Sequence, residues 1–118
     1  MHILFVDHSE RRSTVADHFV GSGTSVEFSR DREEALHLAL TRNYDVILLE
    51  LCLPHISGIE IVRCLRIAGV LTPIMILTER DDVRERVEAL NAGADDSQSK
   101  AISFDELLPR IERLARRG

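Results

Sequence analysis

The stretch YDVILLEL, residues 44–51, decides the fold. From Val46 it is a near-continuous run of β-branched residues and leucines, with no polar residue until Glu50. Such a run signals a strand buried on both faces, as in a parallel sheet covered by helices. The anomaly is Glu50, an acid at the tip of a strand that otherwise reads as interior. It is followed by Leu51-Cys52-Leu53-Pro54, and the proline breaks the chain.

Outward from this strand, short apolar runs alternate with helical patterns. HILFV (2–6) is a strand closed by Asp7. Ser9 is an N-cap candidate for a first helix with Val15, Ala16, Phe19 and Val20 on its apolar stripe, ended by Gly21 and Gly23. SVEF (25–28) alternates like a half-buried strand, and 31–43 reads as a helix. Ser57 caps a helix running to about Ile67, with Gly69 as its stop. PIMILT (73–78) is a fourth buried strand, and 81–93 is an amphipathic helix stopped by Gly93. The last helix starts from a Ser103 N-cap with Glu106 in capping-box position, and Pro109 inside it permits a kink. The rhythm demands a fifth strand in DDSQSK (95–100). Its serines and glutamine offer nothing to bury, so it is expected to be a weak edge strand.

Five strands alternating with five helices give an α/β fold, a doubly wound parallel sheet. In such folds the site lies at the carboxyl ends of the strands, near the point where the strand order reverses. Asp7, Glu50 and Thr78 each end a strand, and Lys100 follows the fifth. Two acids, a hydroxyl and a lysine therefore gather at one pole.

The totals set outer bounds. The chain of 118 residues is one domain, and 44% hydrophobic with 30% charged residues suits a globular protein. A net charge of −5 gives no bulk attraction to nucleic acid or anionic membrane. No apolar run reaches the roughly 20 residues that span a bilayer. MHILFVD lacks the basic start of a signal peptide. Cys52 and Cys64 read as two reduced thiols, and the expected location is cytoplasmic.

With these residues in place, the chain resembles the response-regulator receiver domain, and within it the OmpR/PhoB type. The segments that carry the likeness are YDVILLELCLPHISGIEIVRCLR, PIMILTER and NAGADDSQSK followed by SFDELLPRIERLARR. The resemblance implies the flavodoxin-like strand order 2-1-3-4-5 and a signalling role rather than an enzymatic one. It also implies two adjacent acids holding Mg²⁺, an aspartate phosphoacceptor, a Thr/Ser and a Lys on the phosphoryl group, and an aromatic switch on the fifth strand.

Only part of that set is present. Asp7 matches the first acid, but His8 stands at the second. Glu50 replaces the phosphoacceptor aspartate. Thr78 and Lys100 match the phosphoryl contacts. Ser97 stands at the switch position, Glu79 follows Thr78 at the edge of the acidic pocket, and Ala101-Ile102 replace the usual Pro-Phe. Glu carries its carboxylate one C–C bond, about 1.5 Å, further out than Asp. A misplacement of about 1 Å can cost on the order of a hundredfold in transfer rate. Imidazole is a poor Mg²⁺ ligand. The expectation is a degenerate Mg²⁺ site, no cofactor, no phosphorylation in normal function, and an ion pair Glu50–Lys100 that partly imitates the phosphorylated state. These departures argue against a histidine kinase partner. Two alternatives stay open: slow conventional phosphoacceptance, and a pseudo-receiver that binds a small molecule at the altered pole. Asp7, His8, Cys52 and His55 also include zinc-type ligands, but nothing in the sequence fixes their mutual geometry.

The resemblance further implies a homodimer through the helix of 81–93, the fifth strand and the last helix. Its cross-subunit pairs would be Arg86–Glu106 and Asp96–Arg110, around an apolar centre of Val87, Leu90 and Leu108. A further charged pair of that pattern appears here as Asn91 and Glu112 and is lost. DNA would be reached only through a winged-helix domain downstream of the receiver.

Overall fold

Strand β3 (Val46–Glu50) lies at the centre of a five-stranded parallel sheet, every residue of it buried. Around it run β1 (His2–Val6), β2 (Ser25–Ser29), β4 (Ile74–Thr78) and β5 (Asp96–Ser99), in the order β2-β1-β3-β4-β5. This is the order expected for the flavodoxin-like receiver fold. The computed structural model describes residues 1–7, 17–19, 21–51, 53, 56–79 and 82–117. The predicted Ser9 cap and most of the first helix lie outside them, as do His8, Cys52, Pro54 and His55. Residues 17–19 are helical, within the span predicted for that helix.

The four helices fully within the described residues are α1 (Arg32–Thr41), α2 (Gly58–Ile67), α3 (Val83–Ala92) and α4 (Phe104–Arg117). Each of the first three opens on the side chain its sequence supplies. Asp31 accepts from the Glu34 N–H, Ser57 from Ile59 and Asp82 from Arg84. Ser103 accepts from the Glu106 N–H at the start of α4. The helix predicted over 31–43 ends at Thr41, because Arg42 turns into extended backbone while its N–H still reaches Leu38. Helix α4 continues through Pro109 as one element.

The alternation of the strands sorts the core into two layers. Leu4, Val6, Ile47, Leu49, Ile74 and Ile76 face α1, α2 and α3, meeting Ala35, Ile61, Leu65 and Ala89. Ile3, Phe5, Val46, Leu48, Met75 and Leu77 face α4, meeting Leu107, Ile111 and Leu114. Phe19 joins this second layer and packs edge-on to Phe104.

Strand β5 corrects one expectation. It is an edge strand, as its composition required, but Ser97 is only 8% exposed. Ser97 pairs with Ile76, so its side chain falls on the α3 side of the sheet. A residue with little to bury is nonetheless enclosed, because its position in the register decides its surroundings.

Two close approaches fix the helices to the sheet. A Cβ on Gly58 would stand 2.5 Å from the Glu50 carbonyl oxygen, so only glycine lets α2 start this close to the end of β3. At the other pole, Arg66 donates four hydrogen bonds: to the carbonyls of Gly93, Val70 and Thr72, and to the Asp95 carboxylate. Asp95 also accepts from the Ile74 N–H. This staple ties the end of α2, the end of α3 and the start of β4 together. Gly93 has φ +123°, and a Cβ there would meet the Arg66 side chain at 2.7 Å.

Candidate functional site

The parallel register builds the site. The last paired residues of β1 and β3 are Val6 and Leu49. One step further come Asp7 and Glu50, side by side at the carboxyl pole. Both continue the alternation of Ile3, Phe5 and of Val46, Leu48, so both carboxylates lie on the α4 side of the sheet. Asp7 is 2% exposed and Glu50 6%. Main-chain bonds hold the frame: Asp7 N–H to Ser29, Leu51 N–H to Leu77, and Lys100 N–H to Thr78.

Lys100 leaves the end of β5 and sets its ammonium on the Glu50 carboxylate. The pair is shielded from solvent on both sides. Burial first, and the neighbouring Asp7 second, push the Glu50 carboxyl up, the Lys100 ammonium pulls it back, and the balance lies at about 7 against an ordinary 4.5. Two carboxyls in contact resist double ionisation, and the lysine supplies the one positive charge that makes the arrangement tenable.

Thr78 is also buried at this pole, but it continues Ile74 and Ile76 on the opposite face from Glu50. Glu79, read from sequence as part of the acidic pocket, is exposed beside it. Among the described residues, no group of three or more His, Cys, Asp or Glu side chains is arranged to hold a metal ion. His8, Cys52 and His55 lie outside the described residues. Mg²⁺ takes hard oxygen donors in a strict octahedron. Of the two neighbouring acids here, Glu50 is engaged by the Lys100 ammonium and holds its proton up to about 7, so this donor set fits the ion poorly.

The charged positions of the predicted dimer face gather on one side. Arg86 and Leu90 on α3, Asp96 and Ser97 on β5, and Arg110 on α4 line one cavity of about 610 Å³ with Thr78. Val87 is 49% exposed and Leu90 44%. Glu106 is exposed one turn before Arg110. Leu108 lies on a different flank of α4, beside Met1, Thr24 and Glu112, and packs partly against the core. It therefore does not join Val87 and Leu90, because two residues along a helix is about 200° of rotation.

Sequence reasoning brought Asp7 and Glu50 to one pole but not side by side, and it missed the Arg66 staple and the approach of Gly58. Their signals are slight: a register that no single strand reveals, one arginine in the last turn of a helix, and one glycine after a cap. Among the described residues, no helix is long and apolar enough to cross a membrane.

Comparison with known proteins agrees with this architecture. Residues 3–112 match the family described as the response regulator receiver domain. The chain is 41% identical over 118 residues to the response regulator MprA of Mycobacterium leprae, covering 99% of this chain and 52% of that protein. It is 42% identical over 95 residues to the response regulator protein PmrA of Pseudomonas aeruginosa, covering 80% of this chain and 43% of that one. The chain spans about half the length of the curated relatives it matches. Among solved structures, the receiver domain of the Francisella response regulator 1452 superposes with a TM-score of 0.89 at 32% identity, covering 98% of this chain and 97% of that one. The receiver domain of TorR, the response regulator of a TMAO respiratory system, gives 0.88 at 27% identity, with 98% and 97% covered. On this match of sequence and fold, the chain belongs to the response regulator receiver domain family.

Proposed function

We propose that this receiver domain regulates without being phosphorylated, and that it dimerises to control an attached DNA-binding domain in the cytoplasm. The observation that carries the reading is the buried ion pair of Glu50 and Lys100. The group at the phosphoacceptor position is already engaged by the lysine that would otherwise contact a phosphoryl oxygen. A carboxylate carries one negative charge where a phosphoryl group carries nearly two, so the pair imitates the phosphorylated pole in sign and not in full strength. The poor fit of the donor set to Mg²⁺ supports the same reading, because acyl-phosphate formation relies on metal and in-line placement. No histidine kinase partner is required by a switch whose charge is built in.

The dimer face is α3, β5 and α4. Arg86–Glu106 and Asp96–Arg110 would pair across the two-fold axis, with Val87 and Leu90 as the apolar centre. The exposure of those two side chains supports this, and the placement of Leu108 leaves it out.

The test is direct. The protein is incubated with acetyl phosphate or phosphoramidate and Mg²⁺, and intact mass is read. The expected result is no phosphoryl adduct on the native chain, with an adduct appearing when Glu50→Asp and His8→Asp are combined. Stoichiometric labelling of the native chain overturns the proposal. Sedimentation at high micromolar concentration tests the dimer, and a monomer there overturns that part.

A further inference from the structure

The apolar layer beneath α2 and α3 reaches the surface in a groove between these two helices. Leu51 and Ile59, both buried, and Leu53 and Ile56, both half-buried, supply its apolar lining. The groove has a volume of about 490 Å³. One turn of a helix with its side chains, a cylinder about 10 Å across and 5.4 Å long, fills roughly 400 Å³.

Acids stand on both walls of this trough. Glu60 lies on α2, and Glu85 and Glu88 lie one turn apart on α3. No arginine, lysine or histidine is among the described residues that line it. Neither Glu60 nor Glu88 has an ion-pair partner among the described residues. Three such acids alone would be a solvated surface, and the apolar trough between them is what sets the shape of an occupant. A trough edged by carboxylates on both sides is complementary to an apolar ridge flanked by cations on both sides. That pattern is a basic amphipathic helix, which lays its apolar stripe into a groove.

A second copy of this chain cannot supply that helix while folded. Its own amphipathic helix with a basic end is α4, and the apolar stripe of Leu107, Ile111 and Leu114 is buried in the core. The groove is also separate from the proposed dimer face. Glu85 and Glu88 lie about 160° around α3 from Val87 and Leu90, so the two surfaces occupy opposite flanks of one helix.

We propose that the groove between α2 and α3 docks a basic amphipathic helix of a partner protein, its apolar stripe on Leu53 and Ile56 and its cations at Glu60, Glu85 and Glu88. The inference does not rest on the phosphorylation-independent reading and goes beyond it.

The experiment is fluorescence anisotropy of the native chain with a labelled synthetic helix of about 18 residues, leucines in one stripe and lysines on both flanks. The control peptide has the same residues in an order that breaks the stripe. The protein variants are Glu60→Lys and Glu88→Lys, one on each wall, and Ile56→Ser in the trough. Glu33→Lys on α1 makes the same change in net charge away from the groove. Saturable binding is expected for the native chain and equally for Glu33→Lys. It should weaken by about tenfold or more in each of the three groove variants, and by as much for the control peptide. Amide shifts should centre on residues 56–60 and 85–88. Equal binding of the two peptides, equal binding by Glu33→Lys and Glu88→Lys, or no binding below about 100 μM overturns the proposal. Benzamidine binding as tightly as the helix would assign the groove to a small cation and overturn it as well. Should Ile56→Ser fail to fold, the two charge reversals decide. Sedimentation is read on the same samples. Association lost in Glu88→Lys would make the groove a contact between copies and overturn the proposal, whereas a native monomer that binds the helix counts against the dimer alone.

Discussion

Lys100 crosses the pole to place its ammonium on the carboxylate of Glu50, and neither partner is open to solvent. In a buried pair of this kind, removing one partner strands the other, whereas removing both can be neutral. Lys100→Met should therefore destabilise the domain by up to about 3 kcal/mol near pH 8, where the Glu50 of the native chain is ionised and loses its partner. The loss should shrink near pH 5, where Glu50 takes a proton. The double variant Glu50→Leu with Lys100→Met should recover most of it. Urea unfolding of the three proteins at two pH values reads all of this, and equal losses at both pH values would contradict the assignment.

The raised Glu50 carboxyl has a signed consequence for stability. Its folded value of about 7 exceeds the ordinary 4.5, so the folded state holds this proton more tightly than the unfolded chain. The resulting contribution is complete below about 4.5 and is lost as the pH rises through about 7. Glu50→Gln cannot titrate. The stability difference between native and variant should therefore change between these two values and be constant outside them. Thermal melts across that range provide the measurement.

Gly58→Ala should cost about 1–3 kcal/mol, the usual range for forcing extra volume into a packed site. The added methyl meets the Glu50 carbonyl oxygen and the Leu51 backbone, neither of which can swing aside. The strain falls on the strand end that carries Glu50, so the variant should also disturb the amide resonances of residues 50 and 51. A neutral substitution would show that α2 does not start as close to β3 as described.

Arg66→Lys keeps the charge and loses the planar fork that serves three carbonyls and a carboxylate at once. The expected loss is about 2 kcal/mol, from hydrogen bonds worth roughly 1 kcal/mol each and partly replaced by water. Hydrogen exchange should quicken most at the amides of residues 93–95. A uniform change over the whole domain would argue against a local staple.

The central strands were legible because VILLE and IMILT are apolar beyond what any half-exposed element allows. Strand DSQS was legible only from the rhythm of the elements before it, since an edge strand is held by its backbone pairing to β4 rather than by side-chain burial. The Glu50–Lys100 pair was expected from the family pattern and is present. Asp7 and Glu50 were placed at one pole from their positions at strand ends, but that they stand side by side was not foreseen, because it depends on the register between two strands about forty residues apart. Leu108 shows the limit of reading a helix by composition. An apolar residue announces that it packs, and only the orientation of α4 tells against which neighbour.

The Arg66 staple also sets how the surface formed by α3 can change shape. The carboxyl end of α3 is riveted at Gly93 to α2 and β4, while its amino end, at Asp82, sits near the pole that carries Thr78. A ten-residue helix is about 15 Å long, so a tilt of about 5° about the riveted end carries the other end through roughly 1.3 Å. The helix is in this sense a lever with a fixed fulcrum. Small rearrangements at the strand ends are passed along its length and diminish toward the fulcrum, so the surface between Arg86 and Leu90 moves in proportion to its distance from Gly93.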